Sequence, residues 1–268
     1  MPGADVRSPG WGPFWGAARY EFRMQARKRS LWVVMGLLIA GQFLLAGANH
    51  PIHLPKTTPL PRVMGEWALL LNILTPVGVG GLLADRFVRD QVLGTAELLD
   101  ASPADPGARA WGKTVGALAA TITPLAMWWL GLVVVLAVSR GEPAALAVGL
   151  AAFVAINVPA LLLVGAFSVT LPALVWPPLY RTLFAAYWLW GNLFNPHLLP
   201  TLSGTALAPV GEYAAGGLFG AHLLYAPLRG IERVTPLAGT LSVVLLLAIS
   251  GAPLLMLRAL VGRSASRL

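Results

Sequence analysis

Six stretches of roughly 20 apolar residues, the length that crosses a bilayer core, constrain this chain more than any other feature: 31–48, 67–84, 115–138, 144–169, 179–198 and 236–257. A helix rising roughly 1.5 Å per residue covers a hydrocarbon layer about 30 Å thick in that many residues. Between the runs lie short segments that are polar, Pro-rich or charged. Because backbone inside lipid must satisfy its own hydrogen bonds, each run reads as a helix. The expected fold class is all-α integral membrane, with six transmembrane helices, an N-terminal amphipathic interfacial helix, and short re-entrant or outer helices between spans five and six. The longest connections, 85–114 and 199–235, fall short of a folding domain of about 50 residues, so no separate soluble domain is expected. Composition agrees: 11% of the 268 residues are charged, against about 25% in soluble domains. With no cysteine, disulfides, thiolate metal sites and cysteine nucleophiles are excluded.

A net charge of +8 points to a partner only through where the charges sit. If the N-terminus is cytoplasmic, five of the 19 Lys and Arg residues face outward: Lys56, Arg62, Arg140, Arg229 and Arg233. The remainder cluster inside, so the positive-inside rule places both termini in the cytoplasm of a multi-pass protein of the cell membrane. The division is then a cytoplasmic tail with the interfacial helix (1–30), a membrane domain (31–257) and a C-terminal tail (258–268). Membrane lipids are the partners this charge implies; nucleic acid is not expected. The small-residue run Ala46 to Ala48 looks like a signal cleavage site, but the basic region ahead of the first apolar run is about 30 residues long, as long as a whole signal peptide. An uncleaved span is expected.

The stretch Gly107 to Thr114, "GARAWGKT", fits the phosphate-binding pattern G-x-x-x-x-G-K-[ST] letter for letter. A working loop of that kind joins a buried strand to a helix. Here "DASPADP" precedes it and an apolar run follows, with no room for the parallel sheet such a fold needs. Gly112 reads as a small residue and Lys113 as a side chain snorkelling at the end of the third span. No H-E-x-x-H, G-x-S-x-G or paired intramembrane carboxylates occur, and no enzyme activity is expected. His50 and His53 in an outer Pro-rich loop read as surface residues rather than metal ligands, and His197 as an interfacial residue. Ionisable residues map to loops or span ends, and the spans offer only neutral polar groups such as Asn72, Thr75, Asn157 and Asn192. Ion-coupled carriers usually bury charge near the midplane, so an energy source outside this chain is expected.

Three segments remain. In the first cytoplasmic loop, "TAELLDAS" forms a short helix capped by Thr95 that presents Leu98 and Leu99 beside Glu97 and Asp100, or else is a solvated loop. At the N-terminus, 100° per residue groups Phe14, Trp15, Ala18, Phe22 and Ala26 on one arc, flanked by Arg19, Arg23 and Arg27, the pattern of an interfacial helix or a simple basic anchor. The outer connection 199–235 is too apolar for a free loop and too broken by Pro200, Pro209 and Pro227 for a span, so short re-entrant or interfacial helices fit it best. Trp128 and Trp129, and Trp188 and Trp190, lie away from the interfacial belts Trp favours; they line an apolar export path for a lipid-like or amphiphilic cargo or, as the better of the two readings, pack and touch lipid. Pro76, Pro124 and Pro159 inside the runs are kinks that need no functional motion.

The run "DRFVRDQVLGTAELLDASPADPGARAWGKTVGAL" resembles the first cytoplasmic loop of type-2 ABC permeases, the membrane subunits of ATP-driven exporters. The resemblance implies that Gly94, Thr95, Glu97, Leu98, Leu99 and Pro103, with Asp100 among them, form a coupling helix against a separate ATP-binding subunit, and that Lys113 opens the third span. The E-F-x-x-x-x-R arrangement of Glu21, Phe22 and Arg27, beside Trp15, Arg19 and Arg23, is similar to the family's elbow helix. The resemblance further implies a second permease copy or paralogue, ATP and Mg on the partner subunit, and no cofactor on this chain. The alternatives are an accessory or scaffold membrane protein or a membrane enzyme, and after those an ion-coupled secondary transporter.

Overall fold

The structure of the chain, a computed structural model, describes residues 11–49, 57–84, 86 and 105–265. Every regular element among them is helical. In chain order these are α1 (Gly12–Ala26), α2 (Arg29–Asn49), α3 (Leu60–Leu71), α4 (Thr75–Leu83), α5 (Pro106–Arg140), α6 (Ala144–Ala152), a π-helical turn (Phe153–Asn157), α7 (Val158–Thr170), α8 (Pro177–Leu193), α9 (Glu212–Phe219) and α10 (Pro236–Ala265). Short 3₁₀ turns cover Leu171–Ala173 and Ala226–Arg229.

Among the described residues, three helices are long and apolar enough to cross a membrane: Gly107–Arg140, Ala144–Ala173 and Pro236–Met256. The pair α3 and α4 makes a fourth if it counts as one bent span. These helices mark the chain as a membrane protein. The runs expected at 31–48 and 179–198 fall on α2 and on the 17-residue α8, which ends at Leu193, and neither is among the helices that meet that length and apolarity.

Two prolines explain where the long helices depart from regularity. The second apolar run is not one straight helix: it starts earlier, at Leu60, and bends by 43° at residues 72–74. Pro76 has no N–H to offer the carbonyl four residues back, at Asn72, and its ring crowds that position, so the helix stops and restarts. Pro159 does the same to Ala155, and there the chain stays helical by widening into the π turn just before it.

The core joins α2 (Met35, Ile39), α3 (Met64, Leu71), α4 (Val79, Leu83), α5 (Leu125, Trp129) and α7 (Leu161) around Trp188 of α8, all buried. Lipid is as apolar as leucine, so helices in such a protein are drawn together by close packing rather than by water exclusion, and small residues let backbones approach. Gly112 and Gly116, one turn apart on α5, face the carbonyl oxygens of Phe14 and Ala18 on α1 so closely that a Cβ at either position would collide with them. On α9 and α10, Gly217 and Gly239 meet in the same way, a Cβ on Gly217 falling 3.1 Å from the Gly239 Cα.

Gly112→Ala and Gly116→Ala are expected to lower stability by about 1–3 kcal/mol each, the usual range for overpacking. Gly131→Ala, where a Cβ meets open space, should lose nothing. Thermal or denaturant unfolding of the purified protein measures the three side by side.

Candidate functional site

The break in the second apolar helix gathers a set of buried polar side chains, Asn72, Asn157, Asn192 and Gln42. Ending α3 at Leu71 and restarting at Thr75 leaves carbonyl and amide groups without helical partners, and side chains from three other segments supply them. Asn157, at the end of the π turn, donates through Nδ2 to the Ala68 carbonyl at 2.9 Å and to Asn72 Oδ1 at 2.7 Å. Trp188 Nε1 donates to the Ile73 carbonyl at 2.8 Å. The Leu74 amide donates to Gln42 Oε1 of α2 at 3.1 Å. Asn72 in turn donates through Nδ2 to the carbonyls of Ile156 at 3.0 Å and Val210 at 3.1 Å. The Val210 amide reaches Asn192 Oδ1 of α8 at 3.2 Å, and Asn192 Nδ2 bonds the Trp188 carbonyl at 3.0 Å.

Asn72, Asn157, Asn192 and Trp188 are fully buried, and the result is a polar seam running from α2 through the broken helix to the outer connection. Its members are amides and an indole, which keep one charge state across physiological pH. The seam fixes geometry without titrating. Among the described residues, Asn157 Oδ1 has no hydrogen-bond partner, so acceptor capacity remains in an otherwise apolar surround.

The outer connection is tied down by further buried groups. Glu212, at the start of α9 and fully buried, accepts from the amides of Tyr225 at 2.7 Å and Ala226 at 2.9 Å. Arg229 donates to the carbonyls of Ser203 at 2.7 Å and Thr201 at 2.6 Å. Burial, and then the Glu212 charge, push the Tyr225 hydroxyl above its ordinary pKa, so it stays protonated and donates to the Leu193 carbonyl at 2.8 Å. Glu66 of α3 accepts from Arg62 Nε at 3.1 Å and His222 Nδ1 at 2.7 Å, and Arg62 also touches the His222 ring.

The tryptophan pairs divide. Trp129 is buried and donates to the Gly149 carbonyl at 2.9 Å, and Trp188 closes the break. Trp128 and Trp190 stand 43% and 41% exposed, beside Phe43 and Tyr187 respectively. Each pair thus puts one ring in the packing and one on the outer surface of the chain.

On the N-terminal side, α1 turns Ala18, Glu21 and Gln25 inward and leaves Trp15, Arg19, Arg23 and Arg27 exposed, with Phe22 half-buried. Glu21 Oε1 accepts from Gln25 Nε2 at 3.0 Å and pairs with Arg86 Nη1 at 3.5 Å, both partners buried. The "GARAWGKT" stretch lies within α5, capped by Asp105, whose carboxylate accepts from the Ala108 amide at 2.7 Å. In place of a phosphate-wrapping loop, its Gly112 forms the seat for α1. Gly94, Thr95, Glu97, Leu98, Leu99, Asp100 and Pro103 lie outside the described residues, as do His50 and His53.

Sequence reasoning placed Glu21 by resemblance alone and did not reach Arg86, Gln25, Gln42 or Glu212. Only the Gly112–Gly116 spacing, a small residue every four positions, carried a signal for the helix contact. The chain matches no protein-family model, and a search of curated proteins returns no match. What the fold itself defines is an all-helical membrane protein.

Asn72→Leu strips hydrogen bonds from Asn157 and from the Ile156 and Val210 carbonyls, each a buried group. A loss of about 1–3 kcal/mol per stranded group is expected. Trp188→Phe, which strands only the Ile73 carbonyl and keeps most of the ring volume, should cost less. Unfolding midpoints of the two variants, measured against the parent, check the order.

Proposed function

We propose that the chain is the permease subunit of an ABC exporter of the type-2 class, forming a translocation pathway with a second copy or a paralogue and driven by a separate ATP-binding subunit that carries ATP and Mg. In this reading α2, the bent α3–α4 pair, α5, α6 with α7, α8 and α10 are six spans. Both termini are then cytoplasmic in the cell membrane, α1 is the elbow helix in the interface, and α9 with the 3₁₀ turn forms the re-entrant outer element. The cargo is unidentified, a lipid-like or amphiphilic molecule being one candidate, and in this reading the chain binds no cofactor and performs no hydrolysis.

The observation that carries the reading is how both flanks of segment 87–104 are anchored. Arg86, just before it, is locked to Glu21 of α1, and Asp105, just after it, caps α5. The helix α1 lies against α5 through Gly112 and Gly116. A push on the segment between them reaches α1, α4 and α5 together, as a coupling helix requires. The seam at the α3–α4 break supports the reading from the other side: it is uncharged, so a conformational cycle through it takes its energy from elsewhere.

Glu97→Lys, or Leu98→Asp with Leu99→Asp, is expected to abolish copurification with the ATP-binding subunit while leaving membrane insertion intact. Unchanged copurification would overturn the proposal. With no native cysteine, single cysteines placed between 95 and 103 report sidedness without background, and labelling from outside the cell would sink it equally.

A further inference from the structure

We propose that a cavity bounded by the end of α1, the start of α2, the end of α4 and the start of α8 binds a phosphate anion, either the headgroup of an acidic phospholipid or a free phosphate. The cavity measures about 200 Å³ and its polar lining is Gln25, Lys28, Ser30, Arg86 and Arg181. Gln25, Arg86 and Leu31 form a buried floor, and Lys28, Ser30 and Arg181 form a more open rim. A single water needs roughly 10–15 Å³ of such space, and drug-sized ligands occupy about 300–1,000 Å³. The volume therefore suits one tetrahedral anion with its substituents. Among the described residues, the lining contains no aromatic ring on which a nucleobase would stack.

The charge has the right sign and the donors the right character. Among the described residues of the lining, three side chains are cations and none is a carboxylate. An acid among the described residues, Glu21, pairs with Arg86 Nη1 at 3.5 Å. Arg181 is steadied by donating from Nε to the Gly81 carbonyl at 3.2 Å. Lys28, Arg86 and Arg181 have further partners within the protein, so an anion would join a standing network. A guanidinium can share itself in this way, because it carries five N–H donors in a planar fork and an oxyanion needs two of them.

Position separates this cavity from the polar seam. It lies where α2 begins at Arg29, α4 ends at Leu83 and α8 has just begun at Pro177, so all the helix ends that bound it fall on one side of the bundle. If the helices cross a bilayer, that is the depth at which headgroups lie. Leu31 and Leu82 give the cavity an apolar wall, along which an acyl chain would run.

The test uses the full-length protein and four variants, Lys28→Gln and Arg181→Gln at the rim, and Arg19→Gln and Arg23→Gln on the exposed face of α1. Each is reconstituted in nanodiscs of phosphatidylcholine with or without phosphatidylglycerol, and native mass spectrometry after release counts retained phosphatidylglycerol. In lipid-free detergent, thermal midpoints are compared in sodium phosphate and in sodium chloride at equal ionic strength. Retention by the parent and the α1 variants, falling about tenfold in the rim variants, the weight of one charge-assisted hydrogen bond, is the result expected of a headgroup site. A phosphate-specific rise in midpoint that the rim variants lose identifies a free phosphate and equally supports the site. Absence of both effects, or effects equal in rim and α1 variants, overturns it. Should Arg181→Gln fail to fold, Lys28→Gln carries the same reading. None of these readouts depends on an ATP-binding partner, so failure here and failure of the exporter proposal are distinguishable.

Discussion

Backbone that leaves helical geometry inside an apolar protein must find hydrogen-bond partners there, and the structure is organised around meeting that demand at residues 72–74. Each exposed group at the break is taken up by a different element: Gln42 from α2, Asn157 from the π turn and Trp188 from α8. The outer connection is held to the same place through Val210. In a surround without competing water such bonds resist exchange, and an orphaned group is costly. The break therefore fixes the relative placement of five segments that apolar contact alone would leave free to slide.

Away from the break, proximity comes from missing side chains. The contacts of α1 with α5 and of α9 with α10 are made where glycines let one backbone approach another. That is why α1, a helix with charged residues on much of its surface, lies against the long apolar α5. Its inward-facing Glu21 would be costly to bury alone, and Arg86 and Gln25 compensate it. A buried pair of this kind adds little net stability but penalises loss of either partner severely. It makes a dependable fastening between α1 and the end of α4.

Much of the architecture was legible in the sequence because hydropathy and charge are local properties. Each apolar run contains helix, and the prolines at 76 and 159 stand at two irregularities while α5 continues through Pro124, although the kind of irregularity was not readable. A proline announces a missing donor, and the neighbours decide whether the chain breaks or widens. The amphipathic arc predicted for α1 shows the limit of the method. Hydropathy grouped Trp15 with Ala18, but the structure buries Ala18, Glu21 and Gln25 and turns Trp15 outward, because the seat on α5 selects for small size and for the Arg86 partnership rather than for apolarity.

The sequence by itself determined that this is a helical membrane protein, that its basic residues divide unevenly between the loops, and that "GARAWGKT" lacks the strand a phosphate loop needs. Tertiary structure alone decided that Asn72, Asn157 and Asn192 join in one seam, that Gly112 receives α1, and that Lys28, Arg86 and Arg181 gather at one cavity. The physical reason is distance along the chain. Periodicity and composition act over a few residues and set each helix. These polar groups come from positions tens of residues apart, and only the packing of finished helices brings donor to acceptor.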